Sequence, residues 1–312
     1  GESCQMRIVL IGQQAFGKSV LDAILDAGQD EVVAVFCSPD KEGQREDPLK
    51  LGAIERGIPV YQPARFRSEE AIKQFQDLYS ELCVMAYVTD IVPMQMIQGP
   101  LYGTIQYHPS LLPLHRGPSS INWPIMMGEK KTGLTIFWPD EGLDTGPILL
   151  QKEVVIEPDD TLGSVYFNHL YPMGVEAMLE SIDLVRDGTA PSIVQDESKA
   201  TYESWARSKD ARIDWSQPAQ QIYDVIRGCN PQPGAHTTHA DERLKIFDSR
   251  IGASDNSDSE PGTIIAIADD GFEVATGDGS VMVNRVQRKG AKKEPAAEFA
   301  SAAGLKIGDR LG

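Results

Sequence analysis

Short apolar runs alternate with stretches of helical spacing through the first half of the chain. RIVLIG (7–12) is an apolar run ending in glycine, and a helical stretch follows from 17 to about 27. EVVAVFCS (31–38) is a β-branched run. DPLKLGAIERG (47–57) has helical spacing and leads into IPVYQP (58–63). SEEAIKQFQDLYS (68–80) is helical with a charged start, and LCVMAY (82–87) reads as a fully buried strand. GTIQYH (103–108), GLTIFW (133–138) and PILLQKEVVI (147–156) continue the strand pattern. Residues 159–188 predict one long helix, capped by aspartate and closed by glycine. Strands alternating with helices predict parallel βαβ units and a doubly wound α/β sheet.

The periodicity breaks at 188–205, where turn residues accumulate and no apolar face persists. A linker is expected over 189–205, between a domain at 1–188 and a second at 206–312. In the second, 216–228 is a short helix. Strand candidates follow at 242–250, 262–268, 271–276 and 280–288, separated by the polar loop 252–262 and the turn GDG (277–279). Several short strands with turn signals predict a small β-barrel.

Composition narrows the function classes. No run of 18 apolar residues is present to span a membrane, and the first residues lack the features of a secretory signal. Cys4, Cys37, Cys83 and Cys229 are scattered without zinc-type spacing, so a reduced, cytoplasmic protein without disulfides is expected. The net charge of −17 argues against a protein built to grip nucleic acid. That charge is uneven: residues 206–312 carry 14 basic and 16 acidic side chains, so the excess acid lies in the first 205. The basic run NRVQRKGAKKE (284–294) reads as a solvated loop before an anion site.

The glycine turn GQQAFG (12–17) invites a dinucleotide reading. That fingerprint needs a middle glycine so that the backbone can approach a pyrophosphate, and Gln14 stands there instead. A tight strand-to-helix turn is preferred. In an open α/β sheet, ligands bind beyond the carboxyl ends of the strands. Two polar clusters fall at such ends. One strand ends on His108 in IQYHPSLLPLHRG, and another leads into WPDEGLDTGPIL (138–149), with Asp140, Glu141 and Asp144 between glycines. A turn needs one acid, not three. A histidine and an aspartate loop at neighbouring strand ends are candidates for an acid–base pair. His236 and His239 have the spacing of a metal pair but no completing ligand, and no metal is expected.

HPSLLPLHRG, followed about 30 residues later by DEGLDTGPIL, resembles the folate-dependent formyltransferase superfamily, whose members use 10-formyltetrahydrofolate. DPLKLGAIERGIPVY, the stretch INWPIMMGEKKTGLTIFWPDEGLDTGPILLQKE, ATYESW and IDWSQPAQQIYDVIRGCNPQPGA look most like the hydrolase domain of 10-formyltetrahydrofolate dehydrogenase. The resemblance implies a Rossmann-like catalytic domain, then a small OB-like barrel. It implies that His108 stabilises the oxyanion of a tetrahedral intermediate, with Asp144 orienting it and passing a proton. The family asparagine two residues before the histidine is Gln106 here, one methylene longer. Its departure bears on transfer efficiency and favours the hydrolase-like branch. The backbone of Asp90, Ile91 and Val92 maps to the family's pteridine slot, and Ser110, Leu111, Leu112 and Pro113 to a wall of the same crevice. His115 and Arg116 are candidates for an anionic acceptor or the folate tail, and Asn122 with Trp123 matches a family pair that packs and caps.

The expected cofactor is 10-formyltetrahydrofolate as formyl donor, with water or an amine as acceptor. Three readings stay open: a hydrolase-like domain of a longer multidomain chain, an amine formyltransferase acting on methionyl-tRNA or a small amine, and a folate-binding module without turnover. The acidic chain and near-neutral second domain weigh against tRNA without excluding it.

Overall fold

The structure, a computed structural model, describes residues 5–255 and 258–312; Cys4 lies outside them. The chain divides by contact into two compact units. Of the described residues, the first comprises those within 5–118, 133–154 and 169–202, and the second those within 119–132, 155–168, 203–255 and 258–312.

The first unit is built on a seven-stranded sheet. Its strands and helices follow in chain order: β1 (Arg7–Gly12), α1 (Gln14–Ala27), β2 (Glu31–Phe36), α2 (Pro48–Glu55), β3 (Val60–Tyr61), α3 (Glu69–Gln76), β4 (Leu82–Ala86), α4 (Met94–Ile97) and β5 (Thr104–His108). After α5 (Asn122–Met126), which belongs to the second unit, come β6 (Lys131–Phe137) and β7 (Ile148–Val155). The sheet order is β3-β2-β1-β4-β5-β6-β7. It is parallel from β3 to β5, as the alternating pattern predicts, but β6 runs antiparallel to β5, with His108 opposite Thr135 and Gln106 opposite Phe137.

Local chemistry sets the element ends. Asp47 caps α2 through the Leu49 N–H, Ser68 caps α3 through the Ala71 N–H, and α2 opens on Pro48. β4 is buried at all five positions, which is why it reads as an unbroken apolar run. Its Cys83 and Met85 pack with Val9, Ile11, Phe36, Phe75 and Met96, and the Phe36 ring stacks on Tyr61 at 4.8 Å. The buried Val, Ile, Phe and Met side chains among these each contribute about 1.5–3 kcal/mol by leaving water.

The long helix expected over 159–188 is interrupted. Thr161 and Ser164 form a capping box that starts α6 (Leu162–Val165), a π-helical turn occupies Tyr166–Leu170, and α7 (Tyr171–Arg186) completes the run to Gly188 at φ 72°. The expected linker also has structure. Residues 189–202 belong to the first unit, and Ile193 exchanges both backbone hydrogen bonds with Ile148 at 2.7 and 2.9 Å. A β-bridge of one residue pair leaves no periodic signature.

The second unit contains α5, α6, α8 (Ala219–Gly228) and, after it, the strands β8 (Ala235–His239), β9 (Glu242–Ile246), β10 (Ser249–Ile251), β11 (Ile264–Ala268), β12 (Gly271–Ala275), β13 (Ser280–Val283), β14 (Arg285–Arg288) and β15 (Lys293–Pro295), then α9 (Ala296–Ala302). These antiparallel strands form two sheets of four, β10-β13-β12-β11 and β15-β14-β9-β8, about one core that includes Leu244, Ile246, Phe272, Val281, Val286 and Phe299. Runs 242–250 and 280–288 each split in two, because the chain changes sheet at Phe247 and Asp248 and at Asn284. β8, reading AHTTH, and α9, reading AAEFASA, lack a strong apolar period and escape sequence reading.

His236 is a structural group in this unit. Its Nε2 lies 2.7 Å from the Ser208 carbonyl, so Nε2 carries a proton and donates. Burial lowers its pKa below the ordinary 6.5, aided by Arg243, Arg212 and Lys245 and opposed by the bond to Ser208. The fold therefore favours neutral imidazole. That contribution is present above about pH 6.5 and is lost as the pH falls towards the folded pKa. Urea unfolding of wild type and His236→Gln at pH 8 and pH 5.5 should show the wild-type advantage shrinking at the lower pH.

Candidate active site

β5 is positioned from its far face. Tyr107 alternates with Gln106 and His108 and points to the opposite side. Its ring lies 4.4 Å from that of Phe16, and its hydroxyl donates to the Leu170 carbonyl at 3.0 Å. Gly174 lets α7 approach, since a Cβ there would stand 2.6 Å from the Tyr107 ring.

On the near face, His108 ends β5 and is 6% exposed. Its Nε2 donates to the His115 carbonyl at 2.9 Å, which turns Nδ1 towards Asp144, 3.7 Å from Oδ2. That separation exceeds a hydrogen bond but lies well within Coulombic reach. Asp144 is 8% exposed and takes the left-handed conformation, φ 58°, which few non-glycine residues adopt. Its Oδ2 accepts from the Gly117 N–H at 2.8 Å. The sequence pairing of histidine and aspartate is thus a spatial pairing.

The other acids of the loop have different work. Asp140 accepts from the Gly142 N–H and the Thr145 hydroxyl and so folds the loop on itself, while Glu141 is exposed. Gly146 passes so close to the Trp138 carbonyl that a Cβ would lie 1.7 Å from its oxygen.

Gln106 is half-buried beside His108, and its side-chain amide makes no hydrogen bond among the described residues. Asp90 and Ile91 are exposed and Val92 half-buried beyond β4; Asp90 accepts from the N–H groups of Ile91 and Phe66. β4 and β5 are parallel neighbours, so this segment and His108 leave the same edge of the sheet. A shallow hollow there is lined by Gly12, Gln13, Ser38, Tyr87, Thr89 and Asp90, among others. The turn at Gly12 is a tight strand-to-helix connection, and Gln14 itself adopts φ 63°.

The SLLP wall is half interior. Ser110 is closed to solvent and donates to the Leu114 carbonyl, and Leu112 is 2% exposed. The Leu112 N–H donates to Thr135 and its carbonyl accepts from Gln151, so its backbone is spent on the fold. The more open part of this wall is Leu111 and Pro113. Arg116 is buried, with its guanidinium on Glu197 and Gln195. In the second unit Asn122 donates to the carbonyls of Gly228 and Gln232, and Trp123 to that of Ser204. Sequence reasoning missed Thr135 and Gln195, both buried polar groups at positions with no motif.

The chain matches the family model described as formyl transferase over residues 6–182 and its C-terminal domain over 206–304. It belongs to the formyl transferase family of enzymes. It is 39% identical to the mitochondrial 10-formyltetrahydrofolate dehydrogenase of Mus musculus over 310 residues, which is 96% of this chain and 33% of that one. The cytosolic 10-formyltetrahydrofolate dehydrogenase of the same organism is 44% identical over 80% of this chain and 28% of its own. This chain therefore spans about a third of the dehydrogenases it matches. Methionyl-tRNA formyltransferase of Symbiobacterium thermophilum is 37% identical over 98% of this chain and 95% of its own. Among solved structures, HypX from Aquifex aeolicus in complex with tetrahydrofolic acid shares the fold at a TM-score of 0.70 and 18% identity, covering 97% of this chain and 48% of that one.

Gly146→Ala should destabilise the aspartate loop. The clash with the Trp138 carbonyl predicts a loss of about 1–3 kcal/mol in urea unfolding, read from the midpoint at constant slope.

Proposed function

We propose that this chain removes the formyl group of 10-formyltetrahydrofolate and passes it to water, releasing tetrahydrofolate and formate. The His108–Asp144 pair carries this reading: a buried imidazole and a buried carboxylate 3.7 Å apart at the carboxyl edge of a sheet. The names of the relatives and the folate complex of a structural neighbour support the donor.

Water adds to the formyl carbon, and the carbonyl oxygen becomes an alkoxide. Nε2–H of protonated His108 stays on the His115 carbonyl; Nδ1–H, too far from Asp144 to be hydrogen-bonded to it, supplies a hydrogen bond to that oxygen, and the Asp144 carboxylate stabilises the imidazolium charge. The free amide of Gln106, on the same face, has reach to the same oxygen. Collapse breaks the bond from carbon to N10. The proton lost by water returns to that nitrogen, with Asp144 as the relay. No covalent enzyme intermediate is required, so the work is positioning and preorganised charge. Pteridine recognition falls to backbone groups of Asp90, Ile91 and Val92, with Leu111 and Pro113 as wall. Ser110 and Leu112 support that wall from within.

An amine as acceptor is the second reading, favoured by the 37% identity to a methionyl-tRNA formyltransferase along nearly its whole length. The net charge of −17 favours water over tRNA.

His108→Ala and Asp144→Ala should each lower turnover of 10-formyltetrahydrofolate by on the order of a hundredfold or more, with circular dichroism unchanged. Gln106→Leu should cost less, about tenfold. The assay follows formate and tetrahydrofolate with and without amines. Near-normal turnover in the His108 variant would overturn the mechanism, and tetrahydrofolate appearing only with charged tRNA would overturn the choice of acceptor. Binding of the folate without any turnover would leave a binding module.

A further inference from the structure

Residues 193–195 reverse the usual order of burial. Ile193 and Val194 are 59% and 82% exposed, while Gln195 is 4% exposed. Burying an amide and exposing two aliphatic side chains runs against solvent preference unless the amide is fully bonded. Its bonds are complete. Nε2 donates to the carbonyls of Asp144 at 3.0 Å and Gly146 at 2.7 Å, using both hydrogens. Oε1 accepts from Arg116 Nη2 at 2.9 Å and Nε at 3.3 Å. The Arg116 guanidinium also forks onto Glu197, at 2.6 and 2.9 Å.

These contacts close a circuit. Gln195 holds the Asp144 backbone, the Asp144 carboxylate holds the Gly117 N–H, and Gly117 follows Arg116, which returns to Gln195. The two carbonyls that Gln195 grips bracket Thr145, directly after the residue at φ 58°. Backbone pairing of Ile193 with Ile148 fixes the clamp in register beyond the loop.

From this circuit we infer that Gln195 is a positioning residue that sets the distance from the Asp144 carboxylate to the His108 imidazole. The inference rests on the reaction proposed above. A displacement on the order of 1 Å at a reacting group can cost a hundredfold in rate. Only a side chain with two donors and an acceptor completes the circuit, so glutamate of the same size cannot replace it.

The test compares Gln195→Glu and Gln195→Ala with wild type. Gln195→Glu keeps an acceptor for Arg116 but sets carboxylate oxygen against two carbonyls. Both variants should lose kcat by about 10–100-fold, with KM for the folate within about threefold, and unfold above the assay temperature. Hydrogen exchange in peptides covering 138–147 should rise. Normal kcat in Gln195→Glu, a loss confined to KM, or unchanged exchange in the loop would each overturn the inference; if Gln195→Ala fails to fold, Gln195→Glu decides alone. Wild-type protein that does not consume 10-formyltetrahydrofolate, with faster loop exchange in the variants, would instead overturn the reaction and with it the catalytic role of the clamp.

Discussion

The architecture of the candidate site depends on keeping one buried carboxylate in place. Removing an anion from water costs several kcal/mol unless hydrogen bonds or opposite charge replace the solvent. Asp144 meets that demand with the Gly117 N–H and the nearby imidazole. Neither partner would be there without further constraints. The imidazole is aimed by the His115 carbonyl, and the aspartate backbone sits in a sparsely populated conformation that the loop must enforce. Loop, strand end and the 189–202 segment are best understood as the means of holding that charge.

The scaffold supplies stiffness from behind. Tyr107 is locked between Phe16 and Gly174 and tied to Leu170, at the end of a π-helical turn. A strand whose alternate side chain is packed this way has little freedom to roll, so His108 on its other face inherits a fixed direction. The antiparallel step to β6 adds Thr135 opposite His108, where its hydroxyl donates to the Ser110 carbonyl and accepts from the Leu112 N–H.

Legibility in the sequence followed physical locality. β1, β2 and β4 were readable because buried strands write apolar runs, and α2 and α3 because their apolar positions fall at helical spacing. His108 and Asp144 were readable as polar residues at strand ends where turn chemistry did not require them. The antiparallel β6 was not, because strand direction depends on pairing and not on composition. Nor was the role of 189–202: it is held by two single-pair β-bridges, one glutamine, one arginine fork and hydrogen bonds to Pro191 and Thr201, none of which repeats along the chain. Leu112 reads as a crevice residue in a motif and turns out to be interior, because its neighbours in the motif say nothing about Thr135 and Gln151.

The three described cysteines give each unit an internal clock of its own. Cys37, Cys83 and Cys229 are no more than 1% exposed, and burial pushes all three thiols up to about 12. Near neutral pH burial thus holds the reactive thiolate of each far below its level in a free thiol. Alkylating reagents should therefore register a cysteine chiefly when its surroundings open. Two of these reporters lie in the unit that holds His108 and Asp144, and one in the other unit. The chain thus carries, without any engineering, a way to time the opening of each unit separately.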